Sequence, residues 1–377
     1  MTSGRSIFED VSENHAFASP KGPKQDPRNN RGAVVKWLFI LFALVVLMVA
    51  VGGLTRLTDS GLSITEWRPV TGAFPPTSEA DWTSEFEKYQ ASPEYQIQNQ
   101  GMQLSDFKRI YWWEWGHRQL GRVIGLVWAA GFLFFLLTRR IPRGWTGRLL
   151  LLGGLGGLQG AVGWWMVASG LVGARTDVAS YRLATHLGLA FIILGLISWY
   201  ILRLRRTEAE LLQARRRSDR RLSNSGLLLL AVCFVQILLG ALVAGIDAGR
   251  SFTDWPLMGG RFFPATAWDL EPIWRNLFEN SGLVQFMHRM WGYLFLVLAV
   301  LVWRVSRRSG QTAIRKAYGA ILHGLAFQVL FGIATVLMAA PWYLGLLHQL
   351  VGVAVFVTII RARFVASYPP DQKIARS

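Results

Sequence analysis

Eight stretches of this chain are apolar for long enough to cross a bilayer, and no other feature limits so severely what it can fold into. They fall at about 34–54, 112–137, 148–170, 182–203, 225–246, 283–304, 317–339 and 344–362. Each is near the ~20 residues that a helix rising ~1.5 Å per residue needs to pass through ~30 Å of hydrocarbon. The expected fold is all-α, a polytopic membrane protein with eight transmembrane helices.

The connections between these segments fix orientation. The formal charge of +17 is concentrated in three short links: 139–148 with Arg139, Arg140, Arg143 and Arg148, 203–221 with eight arginines, and 304–316 with Arg304, Arg307, Arg308, Arg315 and Lys316. Basic residues so placed are insertion signals rather than a nucleic-acid surface, and they predict both termini on the cytoplasmic side. Cys233 is the only cysteine, which excludes an intrachain disulfide and a thiolate cluster for zinc or iron–sulfur. The first 33 residues are polar, contain proline and carry Glu9, Asp10 and Glu13, as an unprocessed, disordered cytoplasmic tail would. Two outer loops, about 55–111 and 247–282, are long and rich in Pro, Trp and Gly. They could order over the mouth of a site or simply anchor the chain at the interface.

An internal repeat divides the chain near residue 220. The second helix carries Gly116-His117-Arg118-Gln119-Leu120-Gly121 and the sixth Met287-His288-Arg289-Met290-Trp291-Gly292; the fourth carries Thr185-His186-Leu187-Gly188 and the eighth Leu347-His348-Gln349-Leu350. The expected organisation is a tail (1–33), an N-terminal half (34–203), a basic linker (204–224), a C-terminal half (225–362) and a second cytoplasmic tail (363–377). The halves are read as two pseudo-symmetric four-helix bundles. Gln-x-x-x-Gly recurs at Gln159/Gly163, Gln236/Gly240 and Gln328/Gly332 and is read as a packing element that lets helices approach closely.

Ionisable residues within a membrane are expensive, and four histidines in register point to a shared task. With both termini inside, every even helix enters from the outer face, and His117, His186, His288 and His348 lie a few residues into theirs. One turn on stand Gly121, Ala190, Gly292 and Gly352, leaving room for a flat macrocycle beside the backbone. Paired imidazoles from facing helices are suited to ligating haem iron from both sides. His323, near the cytoplasmic end of the seventh helix with no partner at its depth, reads as structural, and His15 as solvated. Arg118 and Arg289 follow a ligand histidine in each half. They are candidates for haem propionate contacts, or else reach to lipid headgroups.

The halves differ at one position. Glu114 precedes His117 by three residues, whereas Gln285 precedes His288. A carboxylate at the rim of an apolar pocket can transfer protons or stabilise a developing cation; an amide can do neither. The N-terminal site is therefore expected to perform chemistry, and the C-terminal site to hold a haem for electron transfer.

Taken together, Glu114-Trp-Gly-His117-Arg118, Thr185-His186-Leu-Gly, Phe286-Met-His288-Arg289 and Leu347-His348-Gln349, with Gly52-Gly-Leu-Thr-Arg56-Leu-Thr-Asp-Ser-Gly61-Leu-Ser ahead of the first outer loop, resemble the haem A synthase family over about residues 34–362. The resemblance implies an oxidoreductase that converts the C8 methyl of haem O to a formyl group, giving haem A for cytochrome oxidase. It further implies haem b between His288 and His348, substrate haem O between His117 and His186, and Glu114 as the essential carboxylate. The expected setting is the bacterial inner membrane with the haem sites toward the periplasm. The implied partners are a haem O synthase and a membrane electron acceptor, with homo-oligomerisation left open. Some bacterial members carry a cysteine pair in the first outer loop; residues 55–111 have none, so the chain resembles the cysteine-free branch. The alternative is a transmembrane b-type cytochrome electron carrier, which would need histidine pairs near both faces. A repeat-built transporter would account for the symmetry but not for the small residue beside each histidine. Prenyl transfer to haem would call for Asp-rich motifs that the chain lacks.

On this reading His323→Leu leaves haem content near that of the unaltered protein, whereas His288→Ala or His348→Ala removes the stably bound haem b spectrum. Haem loss from the leucine variant, or a full low-spin spectrum in either alanine variant, would contradict it.

Overall fold

The computed structural model describes residues 27–173 and 176–371. Among them the chain is helical, and eight helices are long and apolar enough to cross a membrane: α1 (Pro27–Leu57), α2 (Leu104–Leu137), α3 (Thr146–Val167), α4 (Ser180–Leu204), α5 (Arg220–Gly245), α6 (Ser281–Ser306), α7 (Thr312–Leu337) and α8 (Trp342–Ser367). The expected tail 1–33 lies mostly outside the described residues, and from Pro27 onward it is already helix. At the other end α8 continues past residue 362, because Phe364 and Ala366 are buried and Asp219 N–H donates to the Ala366 carbonyl at 3.0 Å; residues 372–377 lie outside the described part. Within the linker, Glu208–Arg215 forms a short helix with Thr207 and Glu210 as its capping box.

Helices α1, α4, α5 and α8 pack against one another at the centre; α2 and α3 lie against α1 and α4, and α6 and α7 against α5 and α8. The most buried is α4, with 56% of its apolar window covered against 11% for α2, α3 and α7.

Burial alone cannot fix these contacts, because lipid is as apolar as leucine; close approach and polar bonds between helices must do so. One device recurs. A helix carbonyl at position i bonds the amide at i+4, and a glycine at i+4 leaves its second lone pair open to a neighbouring donor. Trp37 Nε1 of α1 donates to the Val127 carbonyl of α2 at 3.0 Å, and a Cβ at Gly131 would lie 2.1 Å from that nitrogen. Trp128 of α2 donates to the Leu149 carbonyl of α3 at 3.1 Å, with Gly153 against its ring. Gln349 of α8 donates to the Val49 carbonyl of α1 at 2.9 Å, and a Cβ at Gly53 would lie 2.0 Å from its Oε1. The second glycine of the Gly52-Gly53 pair is thus the seat of a side chain 296 residues away in sequence. At the outer ends, Arg56 gathers Asp59 at 2.6 Å, Asp247 at 2.7 Å and Asp177 at 3.3 Å, tying α1 to the α3–α4 and α5–α6 connections.

Both long outer loops are ordered. Residues 55–103 include the helices Glu79–Gln90 and Pro93–Ile97, and Ile64, Trp82 and Tyr89 make a small apolar core with Phe107 and Tyr111 of α2. That core explains why α2 starts at Leu104, well ahead of its apolar segment, so that His117 lies more than three turns in rather than one.

Gly131→Val should displace the Trp37 ring and lower the stability of the purified protein by about 1–3 kcal/mol, the usual cost of overpacking. Gly125→Ala, where an added Cβ meets nothing within 4 Å, should cause no loss. Thermal unfolding in detergent distinguishes the two.

Candidate functional site

The four histidines are brought together in two pairs. His288 and His348 face each other with ring centroids 6.4 Å apart and planes at 71°. His117 of α2 and His186 of α4 occupy the corresponding places in the other half. Two imidazoles bound to one metal from opposite sides, with metal–nitrogen bonds of ~2 Å, place their centroids about 6 Å apart. The C-terminal pair has that spacing. Each ring edge also rests on a glycine of the preceding helix: a Cβ would lie 3.3 Å from His117 at Gly52, 2.9 Å from His186 at Gly163, 3.1 Å from His288 at Gly240 and 3.0 Å from His348 at Gly332. His348 Nδ1 is buried with no partner, so the protein leaves donor capacity there unused. Neutral imidazole pairs flanked by glycine suit bis-histidine haem ligation.

His323 is exposed and bonded through Nδ1 to the Gly319 carbonyl of its own helix at 2.8 Å, apart from either pair.

Glu114 is 2% exposed. Its Oε2 accepts from the Ser63 hydroxyl and the Ile64 amide, both at 2.7 Å, and its Oε1 from Arg118 Nη2 at 2.6 Å and Nε at 3.1 Å. The carboxylate expected at the pocket rim is therefore fully partnered, and the ion pair with Arg118 compensates its burial. Arg118 also donates to the Ile64 carbonyl at 2.8 Å and the Glu66 carbonyl at 3.1 Å. In the other half Arg289 donates to the carbonyls of Phe252, Asp254 and Leu257 and to Gln285 Oε1, while Gln285 Nε2 donates to Phe252. Both arginines thus clamp an outer loop over their site; Arg289 Nε is buried and unpartnered. The chemical difference between halves is one of sign: Glu114 draws N–H and O–H donors from its roof, and Gln285 gives a donor to its own.

Three features escaped sequence reasoning. The glutamines read as packing lie on the histidines: Gln159 Nε2 is 3.2 Å from both ring nitrogens of His186, Gln236 Nε2 3.1 and 3.2 Å from those of His288, and Gln328 Nε2 3.2 Å from His348 Nε2. Their recurrence was the visible signal. Ser63 and the Ile64 amide reach Glu114 from 51 and 50 residues away, with no local signature. Glu94 is buried with Oε2 unpartnered. Burial and then the charge of Glu114 push its carboxyl up to about 8. Nothing in the sequence separates it from Glu79 or Glu87.

The chain is similar to known proteins over nearly its whole length. A family model described as cytochrome oxidase assembly protein matches residues 35–360. A Dinoroseobacter shibae protein named "Heme A synthase" is 61% identical over 373 residues, covering 98% of this chain and 97% of that protein. A "Heme A synthase" of Ruegeria sp. is 60% identical over 372 residues, with 97% and 98% covered. One of Paracoccus denitrificans is 57% identical over 373 residues, with 98% of each covered.

Because the Glu94 value in the folded protein lies above that of an exposed glutamate, the stability it contributes is complete below about pH 4.5 and is lost as pH rises through about 8. Proteolysis of the 55–103 loop should therefore accelerate across that range, and Glu94→Gln should flatten the dependence.

Proposed function

The chain belongs to the cytochrome oxidase assembly protein family, and from that premise we propose that it is a haem A synthase of the bacterial inner membrane. It oxidises the C8 methyl of haem O to the formyl group of haem A. The observation that carries the assignment of roles is Glu114, a buried carboxylate one turn from His117 with no counterpart in the other half, where Gln285 stands. His117 and His186 hold the substrate haem O. His288 and His348 hold haem b, which when bound supplies a one-electron redox centre beside the substrate site. The two four-helix halves are thus pseudo-symmetric in plan and different in work, with both termini cytoplasmic and the haem sites toward the periplasm.

Converting a methyl to a formyl group replaces two hydrogens on one carbon by an oxygen atom; with water as the oxygen source it proceeds through the hydroxymethyl stage, and each two-electron oxidation releases two protons. On this reading Glu114 takes those protons, and what supports it is a buried carboxylate whose two oxygens are held in fixed directions by Ser63, Ile64 and Arg118. Arg118 keeps its charge throughout and its bonds to the Ile64 and Glu66 carbonyls hold the roof against water. His117 and His186 orient the macrocycle so that one edge faces the Glu114 rim. Electrons leave through the C-terminal half to an acceptor in the membrane, and the substrate comes from a haem O synthase.

Glu114→Gln keeps size and much of the hydrogen bonding. It should leave haem at His288 and His348 unchanged while lowering conversion of haem O to haem A by at least the ~100-fold typical of losing a positioned acid or base. Extracted haems identified by mass give the readout. Near-normal haem A from membranes with equal amounts of protein would overturn the role of Glu114.

A further inference from the structure

Each axial histidine meets a residue four positions before the glycine that seats its ring edge. On α3, α5 and α7 that residue is Gln159, Gln236 and Gln328; on α1 it is Met48. The register is the same in the structure. Gln236 Nε2 lies 3.4 Å from a Cβ built at Gly292, Gln328 Nε2 3.5 Å from one at Gly352, and the Met48 methyl 3.6 Å from one at Gly121. Three histidines thus stand beside a primary amide, and at the fourth place is a thioether packed on Gly121, one turn from His117.

The amides are half used. Each Nε2 lies on an imidazole, and Gln159 and Gln236 also donate to the backbone carbonyl of their histidine, at 3.0 and 3.1 Å. Yet Oε1 of all three glutamines is buried with no partner. An unpartnered amide oxygen in an apolar bundle is costly, and three at equivalent places share a cause. An imidazole that binds a metal through one nitrogen carries its proton on the other, and that N–H seeks an acceptor. The terminal torsions of glutamine and histidine are both soft and roughly two-fold, so turning the amide and the ring brings Oε1 into line with the ring N–H without moving the helix, at the expense of the bond that Gln159 and Gln236 give their histidine's carbonyl. A thioether is at best a weak acceptor.

We propose that Gln159, Gln236 and Gln328 are positioning residues that accept the N–H of His186, His288 and His348, fixing ring plane and tautomer. His117, with Met48 at the corresponding place, is among the described residues the one axial histidine left without such a partner. This rests on the reading of the two pairs as haem ligands. An acceptor on the distal N–H makes an imidazole the more basic, more tightly held ligand. The C-terminal haem then sits between two fixed ligands and stays. The haem of the N-terminal site sits between one fixed ligand, His186, and one loose one, His117, as suits a site that must take up substrate and release product.

The test uses the full-length protein loaded with haem B, with Gln236→Met, which copies the His117 environment, and Gln236→Glu, which restores an acceptor. The readouts are the low-spin electron paramagnetic resonance spectrum, the midpoint potential and the rate of haem transfer to apomyoglobin. Gln236→Met should shift the g-values, raise the potential and weaken retention about 10–100-fold. Gln236→Glu should retain haem as the unaltered protein does and move the potential the other way. Met48→Gln should slow transfer of haem from the N-terminal site.

If Gln236→Met matches the unaltered protein in spectrum and potential, or Gln236→Glu behaves like Gln236→Met, the glutamines are packing residues and the proposal fails. If Met48→Gln leaves transfer unchanged, the looseness of His117 has another origin and that half of the proposal falls. Failure of the underlying reading looks different: the unaltered protein would then show no bis-histidine spectrum dependent on His288 and His348.

Discussion

An apolar helix face gains little by meeting another such face instead of a lipid tail, so the specificity of this bundle rests on glycine. Where glycine falls one turn beyond a backbone carbonyl, a donor from the next helix can reach that carbonyl, as Trp37 reaches Val127, Trp128 reaches Leu149 and Gln349 reaches Val49. Where glycine falls one turn beyond Met48 or one of the three glutamines, it seats a histidine edge instead. One geometric rule therefore supplies both the joints of the scaffold and the seats of the candidate ligands. The ligand positions inherit the rigidity of the joints; Gly52 seats His117 while its neighbour Gly53 admits Gln349, so the N-terminal site and the contact between halves share a turn of α1.

On this repeated frame, function is carried by departures from repetition. Two residues break the pattern around the N-terminal pair: Glu114 in place of an amide at the roof, and Met48 in place of an amide behind the ring. Glu114 lies one turn before His117, and Met48 packs on Gly121 one turn after it. On the proposed reading, a carboxylate that can gain a proton and a ligand with no acceptor behind it belong to a site that turns over, whereas Gln285, Gln236 and Gln328 surround the other pair with neutral amides.

Much of this was legible in the sequence because hydrocarbon imposes a coarse grammar. Helix number followed from the eight apolar segments, and the four candidate ligands from histidines at matching places in a repeat, while their pairing was implied by the family resemblance. The start of α2 was misjudged because Phe107 and Tyr111 are buried by an outer loop whose core, formed with Trp82 and Tyr89, is tertiary. The place of the glutamines against the histidines was missed because small-residue spacing explains Gln-x-x-x-Gly without reference to the neighbouring helix. Ser63, the Ile64 amide and Glu94 were invisible: each depends on how residues 55–103 fold over the site, and no periodicity encodes that.

The two roofs also differ in what holds them shut. Over the C-terminal pair the loop is fastened by Arg289 and Gln285 to the carbonyls of residues 252, 254 and 257, bonds that no proton in the site alters. Over the N-terminal pair, Ser63 and Ile64 donate to Glu114 itself, and Arg118 bonds both Glu114 and the carbonyls of residues 64 and 66. Hydrogen bonds to an ionised carboxylate are roughly twice as strong as those to a neutral group. A proton taken by Glu114 would weaken all the bonds it accepts, including the two that pin the loop directly. On the proposed reading, the carboxylate that receives protons from the substrate is also the latch of the loop above it, so the N-terminal site would be closed most firmly before its chemistry begins.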